Sequence, residues 1–450
     1  MTASTPKRLL LISYPFPPVG GAGVQRTVKF VKYLPDFGWK PTVLTVANPS
    51  VPVLDKSLEA DVPPDTVVRR ARTMEPGYAL KAAVSGGGAN AKRAGEVKVA
   101  LKSMARGLIN FVLQPDAQVL WIPGAVKEGL TALRETKHDA IMVTGPPFSS
   151  FLAAATLAKQ TGLPLVLDYR DEWGISNAYL ENRRPDPISQ SIQAGMQRRV
   201  VRRAQALIAT TKASAEAIDR VRAEAKSSAK VATIYNGFDP DDFSADWPSR
   251  PDDLERDGRY RLAYVGTLWK LTDVSPLVDA VLDLANRRPD LAARLELAFA
   301  GRRTGEQDAL LARLQDTPVR LILHPYLDHS GAVDLVRSSD GLIILLADVP
   351  GAGRVVPAKV FESMAAERTV LAIAPSGEAR DLLVDHPSRG LFAPAEITAV
   401  ADFLAREIER KARDESISFA GYDPSRFDRR HEAGTLASLL DELSDGNYPL

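Results

Sequence analysis

The sequence has 450 residues, 57 basic and 56 acidic side chains, no cysteine and 45% hydrophobic residues. At about 150 residues per domain, this length indicates two large domains, or at most three, with cores that need no disulfide. The lack of cysteine excludes disulfides, thiol nucleophiles, iron–sulfur clusters and Cys-ligated zinc, and the near-neutral charge excludes a whole-molecule field for nucleic acid.

The N-terminal sequence does not predict a signal peptide, because only four apolar residues, Leu9 to Ile12, precede the prolines that begin at Pro15. The most apolar internal run, residues 342–347, is too short to cross a bilayer. We therefore expect a cytoplasmic protein, with any membrane contact peripheral and at the inner face.

The first half of the chain predicts strands and helices in alternation. Residues 8–13 are a short apolar run typical of a strand buried in a parallel sheet. A Pro/Gly loop over 14–23, a helical pattern that ends at Leu34 and a strand over 41–46 complete one βαβ unit. Further strands are predicted over 140–144, 163–168, 206–210 and 231–235.

A basic segment interrupts this pattern over residues 69–113. Between Arg69 and Leu108 it holds nine Lys or Arg residues against two Glu, and from Val97 onward its apolar and basic positions fall on separate helix stripes. A basic amphipathic helix is typical of a segment that contacts an anionic membrane surface or an anionic acceptor. A solvated helix face on a domain insertion is the alternative.

The second half repeats the alternation, with strands predicted over 261–265, 295–300, 319–323, 341–346 and 370–374. Residues 239–259, which are rich in Asp, Pro and Arg, are typical of an interdomain linker. We therefore predict the α/β fold class, with two Rossmann-like doubly wound domains over 1–238 and 260–425. Leucines at helical spacing predict a last helix within 426–450, which could return to the N-terminal domain.

Three glycines, Gly20, Gly21 and Gly23, lie between the first strand and the first helix. Glycine there lets backbone N–H groups approach a phosphate at the positive end of a helix dipole, although a tight structural turn explains it about as well. The pattern is not a dinucleotide fingerprint, because Arg26 takes the place of its last Gly or Ala.

Two polar motifs follow neighbouring strands of the first half, at the edge where open α/β sheets bind ligands. They are Thr144-Gly145-Pro146-Pro147 and Asp168-Tyr169-Arg170-Asp171-Glu172-Trp173. Asp171 and Glu172 beside Arg170 could orient a hydroxyl acceptor. A salt-bridged turn with Trp173 packed beneath it is the alternative.

Residues suited to a phosphorylated ligand follow the strands of the second half. Gly266, Thr267 and Lys270 come after its first strand, and Arg302 comes after the next one. A cation at such a position is a natural partner for a diphosphate, although an isolated lysine is more often an ordinary surface residue.

The most informative motif is Lys359, followed three residues later by Glu362 at the start of a predicted helix. Residues three apart share a helix face, so both can reach one ligand. Lysine suits a phosphate, and a carboxylate suits a ribose diol. An intrahelical ion pair is the alternative.

In their order along the chain, these residues resemble the glycosyltransferases of family 4. The resemblance runs through most of the sequence, and the motifs that carry it are Pro17-Pro18-Val19-Gly20-Gly21-Ala22-Gly23 with Gln25-Arg26, Thr144-Gly145-Pro146-Pro147, Asp168-Tyr169-Arg170-Asp171-Glu172-Trp173, Asn236-Gly237-Phe238-Asp239, Val265-Gly266-Thr267 and Lys359-Val360-Phe361-Glu362-Ser363-Met364-Ala365. The resemblance implies the GT-B fold, in which two Rossmann-like domains face each other across a cleft. It also implies transfer of a sugar from a nucleotide-diphosphate donor, with retention and without metal.

The resemblance assigns roles to individual residues. Glu362 matches the family carboxylate on the donor ribose, and Lys270 and Lys359 match diphosphate ligands. The loop that contains His324 and Tyr326 is similar in position to one that holds the nucleobase through backbone groups. The glycines of the first loop would approach the phosphates from the N-terminal domain, which would bind the acceptor.

The residues expected to carry catalysis are Arg170, Asp171, Lys270 and Glu362. Two positions depart from the family pattern. Arg354 stands eight residues before the ribose carboxylate, where many relatives have an acidic residue. Phe151 stands where a histidine often follows the Pro-Pro motif.

The predicted activity is transfer of the sugar to a hydroxyl of a glycan, a lipid-linked glycan or a small molecule. We expect no cofactor besides the nucleotide-sugar substrate, no metal and no nucleic-acid partner. Asp239-Pro240-Asp241 has the Asp-x-Asp form used by metal-dependent transferases of another fold, but it lies in the predicted linker. A nucleotide-sugar 2-epimerase and a catalytically degenerate GT-B binding protein are the alternative functions.

Overall fold

The structure is a computed structural model that describes residues 6–51, 54–75, 113–174, 186–244 and 258–446, except for the side chain of Ala22. The basic amphipathic helix expected from Val97 onward lies outside these residues. Within them, no helix is both long and apolar enough to cross a membrane. The contacts divide the chain into two compact units, of which the first is Met1–Tyr235 with Glu432–Leu450 and the second is Asn236–His431.

The first unit has a parallel sheet whose described strands lie in the order β3-β2-β1-β4-β5-β6-β7. Its strands are β1 (Lys7–Ile12), β2 (Trp39–Val46), β3 (Val67–Ala71), β4 (Ala140–Gly145), β5 (Leu165–Tyr169), β6 (Ala206–Ala209) and β7 (Lys230–Thr233). Its helices up to this point are α1 (Ala22–Tyr33), α2 (Ile122–Glu135), α3 (Ser149–Thr161), α4 (Pro187–Val201) and α5 (Lys212–Glu224). The strand order reverses direction between β1 and β4.

Strand β1 is a continuous apolar run because both faces of the sheet are covered. Successive side chains of a strand point to opposite faces, and here Leu10 and Ile12 join one buried cluster while Leu9 and Leu11 join another. The strand lies between two partners, with Leu9 opposite Pro41 of β2 and Ala140 of β4.

The second unit has a parallel sheet of the same kind, with its described strands in the order β10-β9-β8-β11-β12-β13. Its strands are β8 (Tyr260–Val265), β9 (Leu295–Ala300), β10 (Arg320–His324), β11 (Gly341–Leu345), β12 (Thr369–Ile373) and β13 (Arg389–Phe392). Its helices are α6 (Ser275–Arg287), α7 (Pro289–Ala292), α8 (Gly305–Ala312), α9 (His329–Arg337), α10 (Lys359–Ala365), α11 (Glu378–Asp381) and α12 (Ile397–Ala412). These two sheets confirm the predicted α/β fold class.

The last helix, α13 (Arg429–Asp445), packs on the sheet of the first unit. Its leucines, Leu436, Leu439, Leu440 and Leu443, are buried in the same cluster as Leu9 and Leu11 of β1. Lys7 Nζ also lies 2.9 Å from Asp441 Oδ1. The helical spacing of these leucines therefore reflects burial against β1.

The structure corrects where the basic segment begins. Arg69 and Arg70 were expected to open an insertion, but both lie in strand β3 of the sheet. Arg69 forms ion pairs with Glu128 and Glu135, and Arg70 donates to the Pro17 carbonyl at 3.0 Å. Arg69 and Arg70 therefore make these ion pairs and this hydrogen bond within the first unit.

Residues 239–244, expected to open the linker, belong to the second unit, where Pro240–Phe243 form a 3₁₀ turn. Arg337 of α9 donates to the Ser244 carbonyl at 3.2 Å. This contact fixes the beginning of the expected linker to a helix of that unit.

Candidate functional site

In the first unit, the loops after β1 and β4 flank the point where the strand order reverses, which is where open α/β sheets bind ligands. Gly21, at the start of α1, has φ +104°, a left-handed conformation that favours glycine. A Cβ on Gly21 would meet no atom of the described residues within 4 Å. Gly20 is half-buried and Gly23 is exposed.

Arg26 of α1 forms a buried ion pair with Asp168 at the end of β5. Arg26 Nη2 lies 2.9 Å from Asp168 Oδ1, and both side chains are at most 2% exposed. Arg26 Nη1 also donates to the Tyr235 carbonyl at 2.7 Å. The residue that breaks the dinucleotide fingerprint therefore joins α1 to β5 and to the end of the first segment of this unit.

Arg170 fastens two of the expected ligand loops together. Its guanidinium donates to the carbonyls of Gly23 and Pro146. Burial lowers the pKa of Arg170, while the neighbouring carboxylates Asp171 and Asp168 raise it. Arg170 was expected among the catalytic residues, and its contacts make it the residue that holds the loops after β1 and β4 together.

Asp171 and Glu172 differ in their surroundings although they are adjacent. Asp171 is half-buried, and its pKa is raised by burial and by Glu172, against the opposing effect of Arg170. Glu172 instead accepts a hydrogen bond from Ser214 Oγ at 2.9 Å. Asp171 makes no hydrogen bond to the described residues, so it is the carboxylate with capacity for a ligand.

Trp173, which was expected on the acceptor side, is only 3% exposed, so its ring packs beneath the turn of Arg170 and Asp171 and offers little surface to an acceptor. Its ring stacks on Phe148 with centroids 4.5 Å apart, and its Nε1 donates to Gln193 Oε1 at 3.1 Å. Phe151, which replaces the family histidine, packs edge-on against Phe148 and Tyr169 in the same group of rings. Position 151 is fully buried among these rings, which explains why an apolar residue occupies it.

The Thr144-Gly145-Pro146 motif is tightly packed. Thr144 is 1% exposed, and its Oγ1 finds no hydrogen-bond partner within the part of the chain that is described. A Cβ on Gly145 would lie 2.8 Å from the Phe151 ring, so only glycine fits. Asp116, which no sequence motif indicated, accepts from the Ser149 amide at 3.0 Å and thereby caps α3.

In the second unit, three loops at the carboxyl edge of the sheet touch each other. Gly266 has φ +145° and Gly301 has φ +122°, and a Cβ on Gly301 would collide with the Gly266 carbonyl. The Gly301 amide donates to the Pro325 carbonyl at 3.3 Å. Glycine at both positions therefore permits the backbones after β8, β9 and β10 to meet.

Lys359, the first residue of α10, lies against this group of loops. Its Nζ is 3.6 Å from the centre of the Tyr264 ring, and it would be 2.8 Å from a Cβ on Gly266. Within the described residues Lys359 makes no hydrogen bond or ion pair, so the expected alternative of an ion pair with Glu362 is absent there.

Glu362 lies one turn along α10 and is half-buried. Its carboxylate makes no hydrogen bond or ion pair with any residue that the structure describes. Burial and Asp242 raise the pKa of Glu362, and the nearby cations His329, Arg429 and Lys359 lower it, with burial the largest effect. A half-buried carboxylate without a partner among the described residues can accept from two hydroxyl donors.

The other predicted donor residues are more exposed. Lys270 and Arg302 are exposed and form no ion pair with the described residues, and Thr267 is exposed at the same edge. The Thr267 carbonyl accepts from Tyr264 Oη at 3.0 Å. The charged groups of Lys270 and Arg302 therefore have no acidic partner in the described part of the chain, and the structure does not bring them into contact with Glu362.

The loop after β10 is only partly available for a nucleobase. The His324 carbonyl accepts from Arg303 at 3.0 Å, so this backbone group already has a partner. The His324 side chain is half-buried, and burial lowers its pKa. Tyr326 is 41% exposed.

The acidic sequence at 239–242 has structural contacts of its own. Asp239 accepts from the Asp241 amide at 3.1 Å, and Asp242 lies 3.0 Å from His329 Nε2. Among the residues described, no three His, Asp or Glu side chains are grouped so that they could hold a metal ion.

One family model matches the first half of the chain. Residues 20–237 match the family model described as a glycosyl transferase 4-like domain. No curated protein sequence matches the chain.

Solved structures resemble nearly the whole chain at low sequence identity. Sucrose-phosphate synthase from Thermosynechococcus elongatus covers 97% of this chain and 96% of its own, at 13% identity and a TM-score of 0.57. HepE of Anabaena in complex with UDP and glucose covers 98% and 97%, at 16% identity and a TM-score of 0.56. The α,α-trehalose 6-phosphate synthase from Burkholderia multivorans covers 98% and 97%, at 13% identity and a TM-score of 0.56.

At these identities the structural likeness shows the fold, which is GT-B and confirms the predicted architecture of two Rossmann-like units. The chain therefore combines the GT-B fold with a glycosyl transferase 4-like domain over residues 20–237.

Proposed function

We propose that the chain transfers a sugar from its nucleotide-diphosphate donor to a hydroxyl acceptor, with retention at the anomeric carbon and without a metal ion. The observation that carries the donor site is the half-buried carboxylate of Glu362, which has no partner among the described residues and lies one turn from the ammonium of Lys359. A ribose diol would supply the two hydroxyl donors that Glu362 lacks, and the diphosphate would lie at Lys359.

The leaving diphosphate needs positive charge at the moment the glycosidic bond breaks. Lys359 supplies a positioned ammonium, and the exposed cations Lys270 and Arg302 follow the adjacent strands β8 and β9. In the proposed step, the bond from the anomeric carbon to the phosphate oxygen breaks while the acceptor oxygen bonds to the same face of that carbon. The acceptor proton passes to the leaving phosphate oxygen, so no protein nucleophile is required.

The acceptor is assigned to the first unit. Asp171 is half-buried and has no hydrogen bond to the described residues, so its carboxylate can orient an acceptor hydroxyl. Arg170 fixes the Pro146 backbone beside it, and Trp173 supports the same turn from below. The acceptor could be a glycan, a lipid-linked glycan or a small molecule.

UDP-glucose is the first donor to test, because HepE, which has the same fold, was solved with UDP and glucose and also with UDP-glucose. The identity between the two chains is only 16% for the first of these structures, so GDP-, ADP- and dTDP-sugars belong in the same panel.

The test is to incubate the protein with each donor, with and without a panel of hydroxyl acceptors, and to determine the anomeric configuration of the product by NMR. We expect an acceptor-dependent product with the configuration of the donor sugar. Conversion of the nucleotide sugar without acceptor would indicate an epimerase, an inverted product would contradict retention, and binding without turnover would indicate a degenerate binding protein.

Two variants connect that activity to the proposed donor site. Glu362→Ala should weaken donor binding, whereas Asp348→Asn removes an exposed carboxylate in the loop after β11 and serves as the matched control. Unchanged donor affinity and turnover in Glu362→Ala would contradict the assignment.

A further inference from the structure

We propose that Tyr264 is a positioning residue for the donor diphosphate, acting through the ammonium of Lys359. This inference rests on the proposed function, because it takes Lys359 as a diphosphate ligand. No sequence motif indicated Tyr264, which lies one residue before the end of β8.

The first observation is the position of the ammonium over the ring. Lys359 Nζ lies 3.6 Å from the centre of the Tyr264 ring, well within the range of a cation–π contact. The ring itself is fixed, because Tyr264 is 1% exposed, its hydroxyl donates to the Thr267 carbonyl at 3.0 Å, and Phe299 packs beside it at 6.1 Å. Because the ring is fixed, it can hold the ammonium of the flexible Lys359 side chain in one position.

The second observation is the missing side chain at Gly266. A Cβ there would lie 2.8 Å from Lys359 Nζ, which is closer than real Cβ contacts come. The ammonium is thus confined between a ring face and a glycine backbone. Any larger residue at position 266 would push the ammonium off the ring.

The third observation concerns the charge. Lys359 forms no ion pair with any described residue. A carboxylate partner would hold the ammonium but would also cancel much of its field, whereas the π face of a tyrosine attracts a cation without carrying a net charge. Tyr264 can therefore position the ammonium and leave its positive charge available to an anionic diphosphate.

The experiment is a double-mutant cycle on the full chain, with donor KM, kcat and melting temperature measured for Tyr264→Leu, Lys359→Ala and the double variant. We expect Tyr264→Leu to raise donor KM about tenfold, which corresponds to about 1.4 kcal/mol, and to add less than about twofold in the Lys359→Ala background. Tyr264→Phe keeps the ring and should recover most of the affinity that Tyr264→Leu loses.

A matched control separates positioning from loss of core packing. Phe403→Leu removes a buried ring from the same hydrophobic cluster, one that packs edge-on against Phe392 of β13, so it should lower the melting temperature and leave donor KM unchanged. If Tyr264→Leu does not fold, Tyr264→Met takes its place in the cycle, because methionine fills much of the same space without a π face.

The possible results are distinct. A Tyr264→Leu or Tyr264→Met effect that persists undiminished in the Lys359→Ala background would overturn the proposal, as would a Tyr264→Phe variant as impaired as Tyr264→Leu. If Lys359→Ala alone leaves donor KM unchanged, the proposed donor site itself is wrong.

Discussion

The guanidinium of Arg26 and the carboxylate of Asp168 form an ion pair inside the first unit, with 2.9 Å between Nη2 and Oδ1 and both side chains almost completely buried. Arg26 comes from α1 and Asp168 from the end of β5, so the pair joins the glycine loop to the strand that precedes Asp171. Burying two charges is costly unless they are paired, and removal of one partner leaves the other charge in an apolar environment.

Arg26→Ala should therefore lower the free energy of unfolding by about 3–5 kcal/mol. The matched control is Lys40→Ala, because Lys40 pairs with Asp65 at the surface, where the loss should be much smaller. Denaturant unfolding followed by tryptophan fluorescence measures both. Equal losses in the two variants would show that the buried pair has no special role.

Glu362 should make the unliganded protein less stable as pH rises. Its pKa is raised on folding, mainly by burial, so the folded state holds a proton more readily than the unfolded state. Stability is then fully retained below the ordinary carboxyl pKa and falls as pH rises through the raised pKa.

Glu362→Gln removes this titration. The variant should be more stable than the unmodified chain at neutral pH, with the difference disappearing below the ordinary glutamate pKa, while its donor affinity falls about tenfold or more. Thermal unfolding across pH, compared between the two proteins, checks the sign. A variant that is less stable at neutral pH would mean that the carboxylate has a stabilising partner.

Asp171 should affect turnover rather than donor binding. Asp171→Asn should lower kcat about 10–100-fold with little change in donor KM, since only the charged carboxylate accepts strongly from an acceptor hydroxyl. Because burial raises the pKa of Asp171, kcat should rise as pH passes upward through that value, and this limb of the profile should vanish in the Asn variant.

The control for Asp171 is Glu216→Gln, which removes an exposed carboxylate from α5 in the same unit. Steady-state kinetics over a pH series distinguishes the two. A pH profile that is unchanged in Asp171→Asn would place the titrating group elsewhere.

Chelation of divalent cations by EDTA should leave the rate of sugar transfer unchanged. The positive charge for the diphosphate is assigned to Lys270, Arg302 and Lys359, and the carboxylate of Asp242 is engaged by His329. Initial rates with and without excess EDTA give the answer, and the control is restoration by added Mg²⁺ or Mn²⁺. Activity that EDTA abolishes and a divalent cation restores would contradict the proposal.

The central strands of both sheets could be predicted because their apolar runs are local. Residues 8–13 and 261–265 predicted β1 and β8 to within one residue at each end. Strand β3 was missed because Arg69 and Arg70 make it look like part of a basic insertion. Their acidic and carbonyl partners, including Glu128 and Pro17, are distant in sequence, so only the fold shows that these charges are paired.

The difference between local patterns and contacts of distant residues also explains which residues of the candidate site could be predicted. Lys359 and Glu362 share one helix turn, so their spacing alone indicated a common face. The contacts of Lys359 with Tyr264 and Gly266 join distant parts of the chain and could not be predicted from spacing. Asp116 was missed for the same reason, since it caps a helix that begins at Ser149.

Donor binding at Glu362 is tested most directly by thermal unfolding of the unmodified chain and of Glu362→Ala with UDP-, GDP-, ADP- and dTDP-sugars. A ligand that binds the folded state raises the melting temperature by mass action. We expect at least one nucleotide sugar to stabilise the unmodified chain and to lose most of that effect in Glu362→Ala. No stabilisation by any donor, or equal stabilisation of both proteins, would contradict a donor site at Glu362.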